Sequence, residues 1–257
     1  MAIRVGVQLY SVREDCQRDL PGTLQAVAQI GYAGVEFAGY YGYDAKTLRQ
    51  LLDENGLVCC GTHIGIDQLL GEHFERTVEF HLTLGCPYLI VPGLPEAYRA
   101  SRQKWIETAH LFSEIADRLK PYGLRTGYHN HWLEFQPMEG ELPWDTFFSH
   151  ASPDVIMQID TGNALHGGAH AAPFVRKYPG RALTVHVKEY SSTNPSAIIG
   201  EGEVNWRDFF EACETVGGTE WYIVEQETYA HPPLETIRLC FEAMKRLGKV
   251  LSDGNSP

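Results

Sequence analysis

The stretch TGYHNHWLEF, residues 126–135, contains two histidines, an asparagine and a glutamate near the middle of a 257-residue chain. His129, His131 and Glu134 carry side chains that can bind a metal ion or transfer a proton. Other ionisable residues follow apolar runs: Asp160 follows VIMQI, and Glu225 follows WYIV. Which of these side chains act together depends on the elements that carry them.

Short β-rich runs alternate eight times with segments of helical periodicity. The predicted strands are 3–10, 34–39, 57–65, 88–93, 124–130, 155–160, 182–190 and 221–227. The clearest predicted helices lie in 44–56, with Asp44 as the N-cap, in 101–123 and in 233–248. Units of roughly 30 residues indicate parallel strands joined by right-handed crossovers.

For one domain of residues 1–257, eight such units predict an α/β fold of the (β/α)8 TIM barrel type. The rival is an open doubly wound sheet, which normally has a Gly-rich phosphate turn after its first strand. The first strand here continues into QLYSVR, which lacks that turn. Segment 190–205 is expected to be a long loop over the barrel mouth.

Side chains at the carboxyl ends of barrel strands face a common active site. Ionisable residues stand near six of these ends: Glu36, His63, His129 with His131 and Glu134, Asp160, His186 with Lys188, and Glu225 with Glu227. Asp160, His186 and Glu225 each emerge from an apolar strand, where a buried charge must be paired or bound to a metal. We therefore expect a cation between these three. Carboxylates with one imidazole favour Mn²⁺, Mg²⁺ or Co²⁺.

Each of the three residues also has a purely structural interpretation. Asp160 could cap the following helical turn. His186 could be a hydrogen-bonded core histidine, and Glu225 could pair with Lys188 on the neighbouring strand.

The composition limits the classes of partner. The formal net charge is −12, and no block of Lys or Arg provides the cationic surface that a nucleic-acid binder needs. No apolar stretch reaches the ~20 residues that span a membrane, and no signal peptide is evident. The six cysteines form no C-x-x-C pair, which indicates reduced, buried thiols. We expect a cytoplasmic protein with a small, uncharged substrate. The sequence leaves the oligomeric state open, and a homo-oligomer is possible.

Seven motifs follow one another along nearly the whole chain: GVQLYSVRED, GYAGVEFAGY, GYHNHWLEF, QIDTGNALHGG, HVKEYSS, GEGEVNW and YIVEQE. In this order they resemble the sugar phosphate isomerase/epimerase proteins of the xylose isomerase-like TIM barrel superfamily. The resemblance implies one divalent metal held by Glu, Asp, His and Glu from strands 5 to 8. Asp160, His186 and Glu225 match the last three.

Strand 5 departs from the pattern, because His129-Asn130-His131 stands where many relatives have a run like Glu-Asn-His. Either His129 binds the metal, or Glu134 swings back from beyond the strand. We expect Glu134, since a second carboxylate keeps the site hard and helps to balance the charge of the metal. The predicted metal ligands are then Glu134, Asp160, His186 and Glu225.

The resemblance further implies a sugar or keto-sugar isomerase or epimerase that moves a proton next to a carbonyl. The residues expected to be catalytic are Glu134, Glu225, His131 and Lys188, and those expected to bind substrate are Glu36, His63, His129 and Asn163. Mn²⁺ is the expected cofactor, with Mg²⁺, Co²⁺ and Zn²⁺ as alternatives. A lyase or dehydratase acting on an inosose or a 3-keto-glycoside shares the first half-reaction and stays open. A phosphodiesterase like the DNA-repair endonucleases of this superfamily and a non-catalytic sugar-binding protein are weaker alternatives.

Overall fold

The computed structural model describes residues 2–250 and contains eight parallel β-strands. They are β1 (Arg4–Gln8), β2 (Gly34–Ala38), β3 (Val58–His63), β4 (Tyr88–Val91), β5 (Arg125–His129), β6 (Ile156–Gln158), β7 (Thr184–Val187) and β8 (Trp221–Val224). Each lies inside one of the predicted segments, so all eight predicted strands are confirmed. The predicted boundaries, 1–257, include Met1 and residues 251–257, which lie outside the described residues.

Strands that follow one another along the chain pair in parallel from β1 to β6, and β8 pairs with both β1 and β7. Between β6 and β7 the backbone N–H of Met157 donates to the carbonyl of Arg181 at 2.8 Å, and that of His186 donates to the carbonyl of Ile159 at 2.9 Å. A single parallel bridge, Asp160–His186, lies above them. The sheet is therefore a nearly closed barrel, which confirms the TIM-barrel prediction over the open sheet.

A buried arginine, Arg181, cross-links the segments that lead into β6 and β7, where the barrel is least regularly paired. The guanidinium of Arg181 donates to the carbonyls of Phe148, Ala151, Ser152 and Val155 at 2.8 to 3.4 Å. Burial lowers the pKa of Arg181 to about 10, so the group remains charged at neutral pH. It supplies hydrogen-bond donors to four carbonyls between the last turn of α5 and the start of β6, of which that of Ser152 also accepts from the N–H of Val155.

Helices cover the outside of the barrel. They are α1 (Arg13–Ile30), α2 (Ala45–Glu54), α3 (His73–Leu84), α4 (Arg102–Leu119), α5 (Pro143–His150), α6 (Thr161–His166), α7 (Ala171–Lys177), α8 (Trp206–Ala212) and α9 (Pro233–Arg246). Asp44 caps α2 as predicted, accepting a hydrogen bond from the N–H of Thr47 at 2.8 Å. Residues 188–205 connect β7 to α8 without helix or strand. Among the described residues, no helix has the length and apolar character to cross a membrane.

The barrel interior changes character along its axis. An apolar cluster that includes Trp221 fills the end near the strand N-termini. Gly34 leaves room for the Trp221 ring, since a Cβ there would lie 2.9 Å from a ring carbon. Toward the carboxyl ends the inward-facing side chains are polar: Gln8, Glu36 and Gln158 are fully buried and hydrogen-bonded to one another. All six cysteines are buried and unpaired, in agreement with the prediction.

Candidate metal centre and active site

Four buried side chains converge at the carboxyl end of the barrel. His129 ends β5, Asp160 follows β6, His186 lies in β7 and Glu225 follows β8. One ligand atom from each lies within 4.8 Å of those from the other three. The structure thus brings together the three residues that the sequence analysis placed around a cation, with His129 as the fourth.

Asp160 provides the test of whether a cation fits. Its Oδ1 accepts a hydrogen bond from the N–H of Asn163 at 2.6 Å, so it does cap α6. Its Oδ2 has no hydrogen-bond partner among the described residues and lies 3.7 Å from His186 Nδ1. Burial, with the nearby Glu225 charge adding to it, raises the pKa of Asp160 to about 7. An orphaned buried carboxylate oxygen beside an imidazole and a second carboxylate fits a divalent metal ion.

Glu36 lies beneath the cluster rather than in the cavity. Its Oε2 accepts from His186 Nε2 at 2.5 Å and from Gln8 Nε2 at 2.8 Å, and its Oε1 accepts from Gln158 Nε2 at 2.7 Å. Burial opposes ionisation, but His63 and His186 outweigh it and hold the pKa of Glu36 well below its usual range. Glu36 was expected to contact substrate; the structure places it fully buried beneath the cluster, hydrogen-bonded to His186 and absent from the cavity lining.

The position of Glu36 depends on an irregularity in the neighbouring strand. The register between β2 and β3 shifts between Val35 and Glu36, which is the signature of a β-bulge. Gly61 lies opposite Glu36 after this shift, and a Cβ at Gly61 would lie 2.3 Å from Glu36 Oε1. The bulge and the missing side chain together make room for the carboxylate inside the barrel.

One hydrogen-bond chain starting at Glu36 fixes both histidines of the cluster. A carboxylate only accepts, so the amide nitrogen of Gln158 must face Glu36 and its Oε1 must face His129 Nδ1, at 3.1 Å. His129 then carries its proton on Nδ1 and leaves Nε2 free. His186 donates through Nε2 to Glu36, and its Nδ1 hydrogen-bonds Glu225 Oε2 at 3.1 Å on the side of Asp160. Burial opposes the charge, but Glu36 and Glu225 outweigh it and raise the pKa of His186 to about 10, so both ring nitrogens carry protons at neutral pH. His129 Nε2 is thus available to a metal, and His186 Nδ1 becomes available once a metal displaces its proton.

Glu134 lies outside the cluster. It sits in the short turn Leu133–Phe135, where its Oε1 accepts from the Tyr128 hydroxyl at 2.5 Å and its Oε2 accepts from the N–H of His131 at 2.8 Å. Glu134 is 1% exposed, and the Tyr128 ring lies among the aromatic side chains between β5 and the helices. Both oxygens are therefore engaged away from the other predicted ligands, contrary to the expectation that Glu134 swings back.

A cavity of about 320 Å³ opens above the cluster. It is lined by Tyr10, Ala38, His63, Pro92, His129, His131, Asn163, Lys188, Glu225 and Glu227. Of the predicted catalytic and substrate-binding residues, all but Glu36 and Glu134 are among these. The cavity has the size of a small-ligand site, and its walls carry the polar groups that fix a ligand's orientation.

Lys188 is the charged centre of one cavity wall. Its Nζ lies 3.6 Å from Glu225 Oε2, donates to Asn163 Oδ1 at 3.3 Å and contacts the carboxylate of Glu227. Burial opposes its charge, but Glu225, Asp160 and Glu227 outweigh it and raise the pKa of Lys188. Lys188 therefore stays protonated and balances part of the negative charge of the site.

The comparisons with known proteins agree with this architecture. The model of a family described as xylose isomerase-like TIM barrel matches residues 24–247. The chain belongs to this family. The family resemblance expected from the motifs is thereby confirmed.

Relatives of this xylose isomerase-like barrel carry names of two reaction classes. The chain is 24% identical to an inosose dehydratase of Geobacillus kaustophilus, over 89% of this chain and 90% of the relative. It is 25% identical to a 2-oxo-tetronate isomerase of Haemophilus influenzae, over 76% of this chain and 83% of the relative. A solved sugar phosphate isomerase/epimerase from Parabacteroides distasonis superposes with a TM-score of 0.85 at 21% identity, covering 98% of this chain and 96% of that one.

Two residues of the site in this xylose isomerase-like barrel are missed by a search for ionisable groups. Gln8 and Gln158 are neutral amides, yet each stands in an otherwise apolar strand, VGVQ and VIMQ. A buried amide must be hydrogen-bonded, so its presence in such a strand indicates a polar partner inside the barrel. That signal is available from the sequence, although it does not name the partner.

Proposed function

We propose that this protein is a metal-dependent isomerase or epimerase that moves a proton next to the carbonyl of a sugar or keto-sugar. The observation that carries the proposal is the buried cluster of His129, Asp160, His186 and Glu225 on the floor of a small polar cavity. The fold of the family and the names of the enzymes to which the chain is similar support it.

The proposed ligands are His129 Nε2, Asp160 Oδ2, His186 Nδ1 and a Glu225 oxygen. When bound there, a divalent ion supplies Lewis acidity that polarises a substrate carbonyl and acidifies the neighbouring C–H bond. Two imidazoles with two carboxylates suit Mn²⁺, Co²⁺ and Zn²⁺ better than Mg²⁺, which prefers oxygen ligands. Mn²⁺ remains the first choice to be tested.

Proton transfer requires acid–base groups on two sides of the substrate. His131 stands at the cavity mouth, and burial lowers its pKa, so a neutral imidazole is available as a base. Glu225 faces the same cavity from β8, three strands further around the barrel. Lys188 supplies a fixed positive charge for a substrate oxygen that becomes negative.

A second reaction has support from one comparison. The inosose dehydratase relative covers most of the chain, and dehydration of an inosose begins with the same removal of a proton next to a carbonyl. If a hydroxyl then leaves from the neighbouring carbon, the product is an alkene instead of an epimer. The proposed ligands serve both outcomes.

The substrate is proposed to lack a phosphate group. Lys188 is the only lysine or arginine among the described residues that line the cavity, and it is already surrounded by Glu225 and Glu227. A phosphate is normally held by several donors, often including arginine forks. The net charge of −12 likewise disfavours DNA as a substrate.

The test is hydrogen exchange at carbon. Mn²⁺-loaded protein is incubated in D₂O with ketoses, inososes and 3-keto-glucosides, with metal-stripped protein as the control. Deuterium should enter the carbon next to the carbonyl of one class, and mass spectrometry then separates epimerisation from loss of water. An absence of exchange in every class would refute the proposal.

The strand-5 ligand is tested separately by metal content. We expect His129→Ala to lose bound metal and Glu134→Ala to retain it after dialysis, because only His129 points at the cluster. Glu134→Ala should instead lower stability, since it frees the Tyr128 hydroxyl and the His131 N–H. The reverse pattern of metal loss would restore Glu134 as the ligand.

A further inference from the structure

Three aromatic side chains from three separate segments of the chain lie close to one another: Trp132, His166 and Tyr190. The ring centroids of Trp132 and His166 are 6.1 Å apart. Those of His166 and Tyr190 are 5.6 Å apart, with ring planes only 18° from parallel. We call these three residues the aromatic ledge.

The ledge continues the cavity wall. Trp132 directly follows His131, which lines the cavity. His166 lies one turn after Asn163 on α6, so the two side chains share a helix face. Tyr190 lies two residues after Lys188. Each ring thus belongs to a residue within three positions of a lining residue, which places the ledge on the side of the cavity formed by His131, Asn163 and Lys188.

The ledge is open and its polar atoms are free. Trp132 is 49% exposed, whereas the other four tryptophans of the chain are each less than 10% exposed. Within residues 2–250, no hydrogen bond uses Trp132 Nε1, the His166 ring nitrogens or the Tyr190 hydroxyl. A flat apolar face with unused polar edges is suited to stack on a ring while bonding its substituents.

We propose that the ledge binds a second ring of the substrate, a sugar or aromatic group joined by a glycosidic bond to the sugar in the cavity. This inference rests on the proposed function, because it assumes that a sugar occupies the cavity. A neutral ring fits better than an anionic group, since the ledge carries no lysine or arginine and Lys188, the one such residue among the described cavity lining, is already paired with Glu225 and Glu227. The protein would then act on keto-glycosides, with the cavity holding the sugar that carries the keto group and the ledge holding the group attached to that sugar.

The test compares two probes that share the sugar and differ in the second group, methyl and phenyl β-D-glucopyranoside. Calorimetric titration of Mn²⁺-loaded protein should give the phenyl glycoside about three- to ten-fold higher affinity, as expected for one aromatic stacking contact. Trp132→Ala should abolish that preference. Tyr122→Ala is the matched control, because Tyr122 is 44% exposed but lies before β5, at the opposite end of the barrel. It should leave the preference intact.

Fluorescence provides a second readout, since Trp132 is the exposed tryptophan. Phenyl glycoside should protect it from acrylamide quenching more than methyl glycoside does. Equal affinities, undetectable binding of the phenyl glycoside, or a preference that survives Trp132→Ala would overturn the inference. So would protection that appears without ligand as the protein concentration rises, because the ledge would then be a contact between copies of the chain.

Failure of this inference is distinguishable from failure of the proposed function. The ledge is judged on the two affinities, and the reaction is judged on deuterium exchange. If deuterium enters a free keto-sugar but the two glycosides bind equally well, the proposed reaction stands and the proposed role of the ledge is refuted.

Discussion

Replacement of Glu36 by glutamine should weaken metal binding although Glu36 is not one of the proposed ligands. Glutamine has the same shape as glutamate, but an NH₂ group must replace either Oε1 or Oε2 of Glu36. On the Oε2 side this group meets the N–H groups of Gln8 and His186. On the Oε1 side it meets the amide N–H of Gln158, whose rotation would bring an NH₂ group to His129 Nδ1. Either way, at least one of the two histidines proposed as ligands loses the hydrogen-bond partner that orients its ring.

The magnitude follows from the number of ligands affected. Loss of one partner that orients a ligand costs about 10- to 100-fold in metal affinity. Glu36 supports His186 directly and His129 through Gln158, so we expect the upper end, about 100-fold or about 2.7 kcal/mol.

The assay is calorimetric titration of Mn²⁺ into metal-stripped wild type and Glu36→Gln. Glu189→Gln is a matched control, because Glu189 is also a buried carboxylate, which accepts from the N–H of Gly200 at 2.7 Å and from Trp206 Nε1 at 2.8 Å. That variant should lower stability and leave metal affinity unchanged. An affinity of Glu36→Gln within about threefold of wild type would contradict the orienting role of Glu36.

Three further changes test the fold around the site. Gly61→Ala should displace the Glu36 carboxylate and lower metal affinity at least about tenfold, while Gly93→Ala, with no atom within 4 Å of the added Cβ, should not. Burial lowers the pKa of His81 from 6.5 to about 4, so the unfolded chain binds a proton in this interval that the folded chain does not. The free energy of unfolding should therefore fall by up to about 3 kcal/mol as pH drops from 6.5 to 4, and urea unfolding of His81→Gln should lack this part. Arg181→Met should cost about 3 kcal/mol or more in the same assay, because it leaves several buried carbonyls without donors.

The fold was predictable because each barrel element has a strong local pattern. Parallel strands are buried runs, helices are amphipathic, and their alternation eight times leaves few topologies. Strand ends were less predictable. The seventh segment was predicted as 182–190, yet β7 ends at Val187. Beyond it the Thr161 hydroxyl accepts from the N–H of Lys188 at 3.0 Å and donates to its carbonyl at 2.7 Å. A side chain from α6 therefore makes the backbone hydrogen bonds that a neighbouring strand would otherwise make.

The site was predictable where it depends on strand ends alone. Asp160, His186 and Glu225 come together because parallel strands direct their carboxyl ends to one face. The depth of Glu36 was not predictable in this way, because it depends on the register between β2 and β3. That register shifts beside Glu36, and nothing in either strand by itself reveals the shift.

The difference between His129 and Glu134 has an electrostatic reason. A second carboxylate ligand is favourable when the metal's charge is considered alone. Here, however, Glu36, Asp160 and Glu225 already lie around His186, so another buried carboxylate would add repulsion to the three that His186 and Lys188 already balance. A neutral imidazole adds a ligand without adding charge. Glu134 is stabilised instead by a hydroxyl and a backbone N–H, which are neutral donors outside this negative cluster. We therefore propose that Glu36 on β2 favours a neutral ligand on β5. This influence depends on the closed barrel, because only the fold brings the two strands to the same interior.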